Sequence, residues 1–253
     1  MWTAPVPWAA ARREDMALRH DQGIVLRSFP FGEADRVVVL LSPNQGKIRA
    51  VAKGVRKTKS RFGGRLEPFS HVDLVLYEGR NLDTITQAEV IEAFPRLRQD
   101  LDKMMAAGAM VELLDIVSQE EESSHRAFLL LQRSLRALET GPMHPDLVTS
   151  FLLKASDVVG VAMALDACSG CGTPEGLHRF AFAGGGVQCD RCRTPGALVL
   201  RDGLTGYLAT LAVSPIDDLP APDPLLGVDA LGVTRRFLEF HLDRRLMAAV
   251  KVV

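Results

Sequence analysis

The chain has 253 residues, 47% hydrophobic and 24% charged, with 30 Lys/Arg against 31 Asp/Glu. This is a globular composition, enough for one large or two ordinary cores, with no apolar run near the roughly 18 residues that span a bilayer. The net charge of −1 excludes a protein that is basic all over, and the opening MWTAPVPWAAARRED lacks the continuous apolar core of a secretory signal, so a cytoplasmic protein is expected.

Residues 1–15 read as a loose tail, with ordered structure from Met16. Five short segments of strand character follow: Gln22–Phe29, Asp35–Leu41, Lys47–Lys53, His71–Tyr77 and Leu82–Ala88. Turn signals at 30–32, 42–46 and 78–81 separate them. Five strands in so short a stretch predict a small barrel, and an OB-fold over residues 16–95 fits the count.

Charge is distributed unevenly. Residues 16–100 carry 14 Lys/Arg against 10 Asp/Glu, whereas residues 101–166 carry 5 against 10. Between Arg36 and Leu66 stand nine basic residues and no acid. In the segment 47–53, a period of two turns Ile48, Ala50 and Ala52 inward and puts Lys47, Arg49 and Lys53 on the opposite face. The loop beyond adds Arg56, Lys57, Lys59, Arg61 and Arg65, with Phe62 among them. Such a face and loop can neutralise phosphates. Phe62 has two roles open to it: stacking on a base, or anchoring the loop in the core.

After Pro95 the apolar spacing turns helical. Helices are predicted over Asp100–Gln119, Ser124–Glu139, Pro145–Leu165, Gly203–Val213 and Val228–Val250, the last with Leu231, Leu238, Leu242 and Leu246 in one stripe. Gly141-Pro142 stops the second, and a Pro/Asp-rich loop runs through Asp223. The fold class is therefore α+β: an N-terminal barrel, then an α-helical bundle over 96–253.

The bundle is interrupted at 166–197 by Cys168, Cys171, Cys189 and Cys192, every cysteine in the chain. C-x2-C, seventeen residues, C-x2-C is the spacing of a structural zinc site, four thiolates around one ion. The intervening 178–183 and 187–188 can form a hairpin about Gly184–Gly186. Disulfides would need an oxidising compartment, and a redox pair needs a single C-x-x-C beside a βαβ unit. A catalytic zinc would typically keep one position open, and His178 is expected to be an ordinary turn or strand residue. No P-loop, dinucleotide-binding glycine motif or H-E-x-x-H occurs, so catalysis and a small-molecule substrate are not expected.

The run Lys53-Gly54-Val55-Arg56-Lys57-Thr58-Lys59-Ser60-Arg61-Phe62, ending in Leu66-Glu67-Pro68-Phe69, resembles the signature of the bacterial RecO family. Gly23–Leu26 with Gly32–Asp35 is similar to that family's first hairpin, and Arg236–Leu242 to its last helix; the four cysteines fall in order between them. The resemblance runs from Leu18 to Met247, and the 15 residues before Met16 depart from it. It implies a non-enzymatic protein of the RecF pathway acting at the nucleoid. Such a protein binds single- and double-stranded DNA, anneals complementary strands and joins RecR. It also binds the tail of the single-strand-binding protein and assists RecA loading. Zinc would be a stabiliser there, since some members lack the cysteines. The acidic segment 101–166 is expected to keep DNA to one side. Two other classes stand beside this one: a zinc-stapled adaptor whose basic loop grips an acidic protein, and a nucleic-acid-processing enzyme with zinc as scaffold.

Overall fold

The computed structural model describes residues 18–57, 60–120 and 122–249. The predicted tail, Met16 and Lys59 lie outside them.

Five strands close a barrel: β1 (Leu18–Phe31), β2 (Asp35–Ser42), β3 (Gly46–Ala52), β4 (His71–Tyr77) and β5 (Asp83–Glu92). Their order is β1-β2-β3-β5-β4, with β4 returning to β1. All neighbours are antiparallel except β3 and β5. Alternation sorts the side chains. Val25, Val38, Leu40, Ile48, Ala50 and Leu74 fill the interior. Ile24, Leu26, Val39 and Leu41 on the outside of β1 and β2 are equally buried, because they belong to the core of the helical half. One outer face of the barrel is thus the floor of the bundle.

The helices are α1 (Leu101–Val117), α2 (His125–Thr140), α3 (Leu147–Val158), α4 (Leu204–Val213) and α5 (Pro224–Leu242). The Asp100 carboxylate accepts from the N–H groups of Asp102 and Lys103 and starts α1. The central helix is α3, with nine of its twelve residues buried, packed against α1, α2, α4 and α5.

Three helix boundaries depart from expectation. The third helix ends at Val158, not Leu165: Gly160 takes φ +80 and the Val161 N–H turns back to the Ser156 carbonyl, releasing the chain towards the cysteine finger. The last begins at Pro224, not Val228. Asp223 caps it through the N–H groups of Leu225 and Leu226, with Pro224 in the first turn, where its missing donor costs nothing. It stops at Leu242, where Asp243 adopts φ 49. Leu246 is still buried, as loop rather than helix.

Between α3 and α4 lies a small sheet of β6 (Arg179–Ala181), β7 (Gly186–Gln188) and β8 (Leu198–Val199), in the order β7-β6-β8. Phe180 of β6 is fully buried edge-to-face on Phe237 of α5, ring centroids 5.9 Å apart, which seats the finger on the bundle. No described helix is long and apolar enough to cross a membrane.

Candidate nucleic-acid interface and metal centre

The basic loop begins where β3 leaves the barrel. Gly54, at φ +69, donates its N–H to Asp35 Oδ1 at 2.7 Å, and the Arg56 N–H reaches the Ala34 carbonyl at 3.0 Å. These bonds tie the loop's first turn to the β1–β2 turn. The loop then crosses the end of the barrel and docks at a bulge in β1, where the Phe69 N–H meets the Val25 carbonyl at 2.8 Å.

Phe62 is where the two readings part. Its side chain is 1% exposed and sits with Leu66 in the barrel interior, plugging that end. The guanidinium of Arg61 lies over its ring at 4.8 Å. A ring so placed has no free face for a base, which corrects its assignment to the DNA-contact set; Phe62 is the anchor.

The cations separate into three groups. Lys53, Arg56 and Lys57 are exposed and form no ion pair among the described residues. Arg61 and Arg65 serve the loop as well: Arg61 donates to the Ile85 carbonyl at 3.4 Å, and Arg65 to the Arg61 carbonyl at 2.8 Å while lying 3.8 Å from Glu89. Lys47 and Arg49 are engaged by the helical half. The Lys47 ammonium donates to the Asp115 backbone carbonyl and lies 3.5 Å from its carboxylate, which also takes Arg27 at 2.5 Å. Arg49 lies 3.7 Å from Glu120. The acidic segment therefore does not merely stand aside from the barrel: part of it covers the β2–β3 face that OB-folds commonly use for oligonucleotides.

Sequence reasoning missed Arg19, Arg80 and Asn81, which line a small polar cavity with Lys47, Arg49 and Glu120. The signal was available in the barrel topology, which brings the β4–β5 turn beside β3; composition alone left Arg80 in an anonymous turn.

The four cysteines converge. All four sulfurs lie within 4.8 Å of one another, and Cys171 Sγ stands 3.8 Å from Cys189 Sγ. With metal–sulfur bonds of about 2.3 Å, the edge of a tetrahedral thiolate site is about 3.8 Å, so the donor set fits zinc. The backbone prepares it. The N–H groups of Cys189 and Gly170 each reach Cys168 Sγ at 3.4 Å. These bonds, that from Cys189 foremost, hold the Cys168 thiol down to about 6. Cys192 is pushed up to about 12, chiefly by the neighbouring Cys171 sulfur: four thiolates so close repel one another unless a cation neutralises them. Gly170 leaves the necessary room, since a Cβ there would lie 2.9 Å from that of Cys192. His178 is no part of the cluster; its Nε2 is 3.0 Å from Asp190 Oδ1.

Family models agree with this architecture. The model described as "Recombination protein O N terminal" matches residues 16–94, and "Recombination protein O C terminal" matches 98–248. The chain is 43% identical over 237 residues to a DNA repair protein RecO of Frankia casuarinae, covering 92% of this chain and 97% of that one. It is 43% identical over 244 residues to that of a Nocardioides species, covering 93% and 99%. To that of Thermobifida fusca it is 38% identical over 231 residues, covering 90% and 95%. With a closed five-stranded barrel, a helical half and a four-cysteine finger in the expected order, the chain belongs to the RecO family of DNA repair and recombination proteins.

Proposed function

We propose that this chain is a non-enzymatic recombination mediator of the RecF pathway, working in the cytoplasm at the nucleoid. It binds single- and double-stranded DNA through the barrel (residues 16–95), anneals complementary strands, and with RecR assists RecA loading on strands covered by the single-strand-binding protein. The observation that carries this reading is the cluster of Lys53, Arg56 and Lys57, exposed and unpaired among the described residues, on a loop anchored by Phe62. Fixed cations facing solvent gain affinity by releasing counterions from phosphates, without regard to base sequence, as annealing requires. The helical half (96–253) carries one zinc ion on Cys168, Cys171, Cys189 and Cys192, as a structural staple.

The tail of the single-strand-binding protein is a second partner, and a cavity of about 620 Å³ between α2, α3 and the end of α4 supports it. Arg126, Arg133 and Lys154 line it beside Leu129, Met163 and Ile216, with Asp157 and Asp217. Arg126 pairs with Asp157, and Lys154 is bonded to Ser150 and to the Leu211 and Ala212 carbonyls, which leaves Arg133 and the apolar wall to meet an acidic chain end. The test of the main reading is strand annealing with purified protein: complementary oligonucleotides should pair faster with it than without. Unchanged annealing would leave the adaptor reading, in which the loop binds an acidic protein. Cleavage dependent on a divalent ion would instead mark a nucleic-acid-processing enzyme.

A further inference from the structure

We propose that the cavity between the β4–β5 turn and the start of β3 is a second nucleic-acid phosphate subsite, and that Glu120 occupies it as an internal stand-in for a phosphate. This rests on the DNA-binding reading above and extends it to a further site.

The cavity holds about 140 Å³, and charged groups dominate its wall. Arg19, Lys47, Arg49 and Arg80 line it, with Asn81 beside them. Lys47 is already held by Asp115 and Arg19 by Asp83, so Arg49 and Arg80 are the cations nearest to free. Asp83 is already committed, accepting from Arg19 at 2.7 Å and from the Gly79 N–H at 3.2 Å. Glu78 belongs to the turn itself. Among the described residues, Glu120 is the single acid that the helical half contributes. The Nε of Arg19 is buried and has no hydrogen-bond partner among the described residues.

The way Glu120 is held suits a displaceable plug. The link after α1 lies along the β2–β3 turn: the Lys47 N–H donates to the Gln119 carbonyl at 2.9 Å, and Glu120 makes isolated bridges to Gly46 and Lys47. Gly46 permits this approach, because a Cβ there would lie 2.1 Å from the Glu122 carbonyl oxygen. The carboxylate itself is only loosely paired, 3.7 Å from Arg49, with both side chains about half exposed. Such pairs are weak in water. A polyanion offering several phosphates can outcompete one carboxylate while the backbone link stays in place.

The subsite also has a place in a longer track. From Lys47 to Lys53, just past the end of β3, the chain spans about 20 Å at roughly 3.3 Å per residue. Arg49 at the cavity and Lys53 at the loop stand towards the two ends of that span, so a single strand of a few nucleotides could meet both.

The test is anisotropy with a labelled oligo-dT on the full chain. Glu120→Gln should bind about two- to fivefold tighter than the parent, the range expected for freeing a weak surface pair. Glu122→Gln, which removes the same charge two residues away, should leave affinity unchanged. Arg80→Ala should weaken binding, and the gain from Glu120→Gln should shrink when combined with Arg49→Ala and Arg80→Ala. Equal affinities for the parent and Glu120→Gln, or equal gains from Glu120→Gln and Glu122→Gln, overturn the subsite. If the parent binds and loop variants lose binding while Arg80→Ala does not, the subsite falls and the DNA-binding reading stands. No binding by the parent overturns both.

Discussion

His71 Nδ1 of β4 lies 3.2 Å from Glu92 Oε2 of β5, at the seam where the barrel meets α2. The ring is 2% exposed, edge-on to Phe128, with Gln22 at its Nε2 and Gln132 at its Nδ1. Burial pushes the imidazole below its ordinary 6.5, more than the Glu92 carboxylate raises it. Burial also pushes Glu92 up, but hydrogen bonds from Arg136 and His71 outweigh it and hold the carboxyl below its usual value. A histidine with a depressed folded value takes up its proton more readily when unfolded, so its stability contribution is lost as pH falls through and below 6.5. The Glu92 contribution is present above the ordinary carboxylate range and is lost at lower pH still. The melting temperature should therefore fall between pH 7.5 and 5.5, and His71→Gln should flatten that dependence. The same pH slope in His71→Gln would place its origin elsewhere.

Phe62 fills the end of the barrel, so Phe62→Ala should cost about 3–5 kcal/mol of stability. Phe62→Leu keeps most of the apolar volume and should retain DNA affinity at the parent's level. A large affinity loss in Phe62→Leu with an unchanged melting temperature would mean that the ring meets a base after all.

Elemental analysis should find one zinc ion per chain. Cys168→Ser combined with Cys189→Ser should release it, because only two of the four thiolates remain. Metal binding in small zinc peptides is worth on the order of 10 kcal/mol, but this finger is also seated by Phe180 on Phe237. The expected result is a lowered melting temperature with the bundle's helical signal largely kept. A double variant as stable as the parent would refute a structural metal.

Strand and helix placement was largely legible because alternation and three-to-four spacing report burial directly. All five barrel strands were found, as were the starts of the first two helices, where Asp100 and Ser124 cap; β8 of the small sheet was not. The third helix overran since Val161, Met163 and Leu165 continue an apolar spacing even though Gly160 has left the helix. The cysteine cluster was legible because metal geometry tightly constrains its spacing. The surroundings of the basic face were legible only in part. Charge marks Lys47 and Arg49 as cations, but their partners Asp115 and Glu120 come from far along the chain, and only the fold brings them together. Phe62 was ambiguous for a similar reason: a single aromatic in a loop has no periodicity to say which way it faces.

We propose that the exposed cations of the barrel loop bind DNA through phosphates. The most direct test is the salt dependence of single-stranded DNA affinity for the parent and for Lys53→Ala/Arg56→Ala/Lys57→Ala. If about four phosphates are contacted, log affinity against log salt should have a slope of roughly −3, from about −0.7 per phosphate. The triple variant should lose about two units of that slope, equally for any base sequence, at an unchanged melting temperature. Parent-like affinity and slope in the triple variant would contradict the claim.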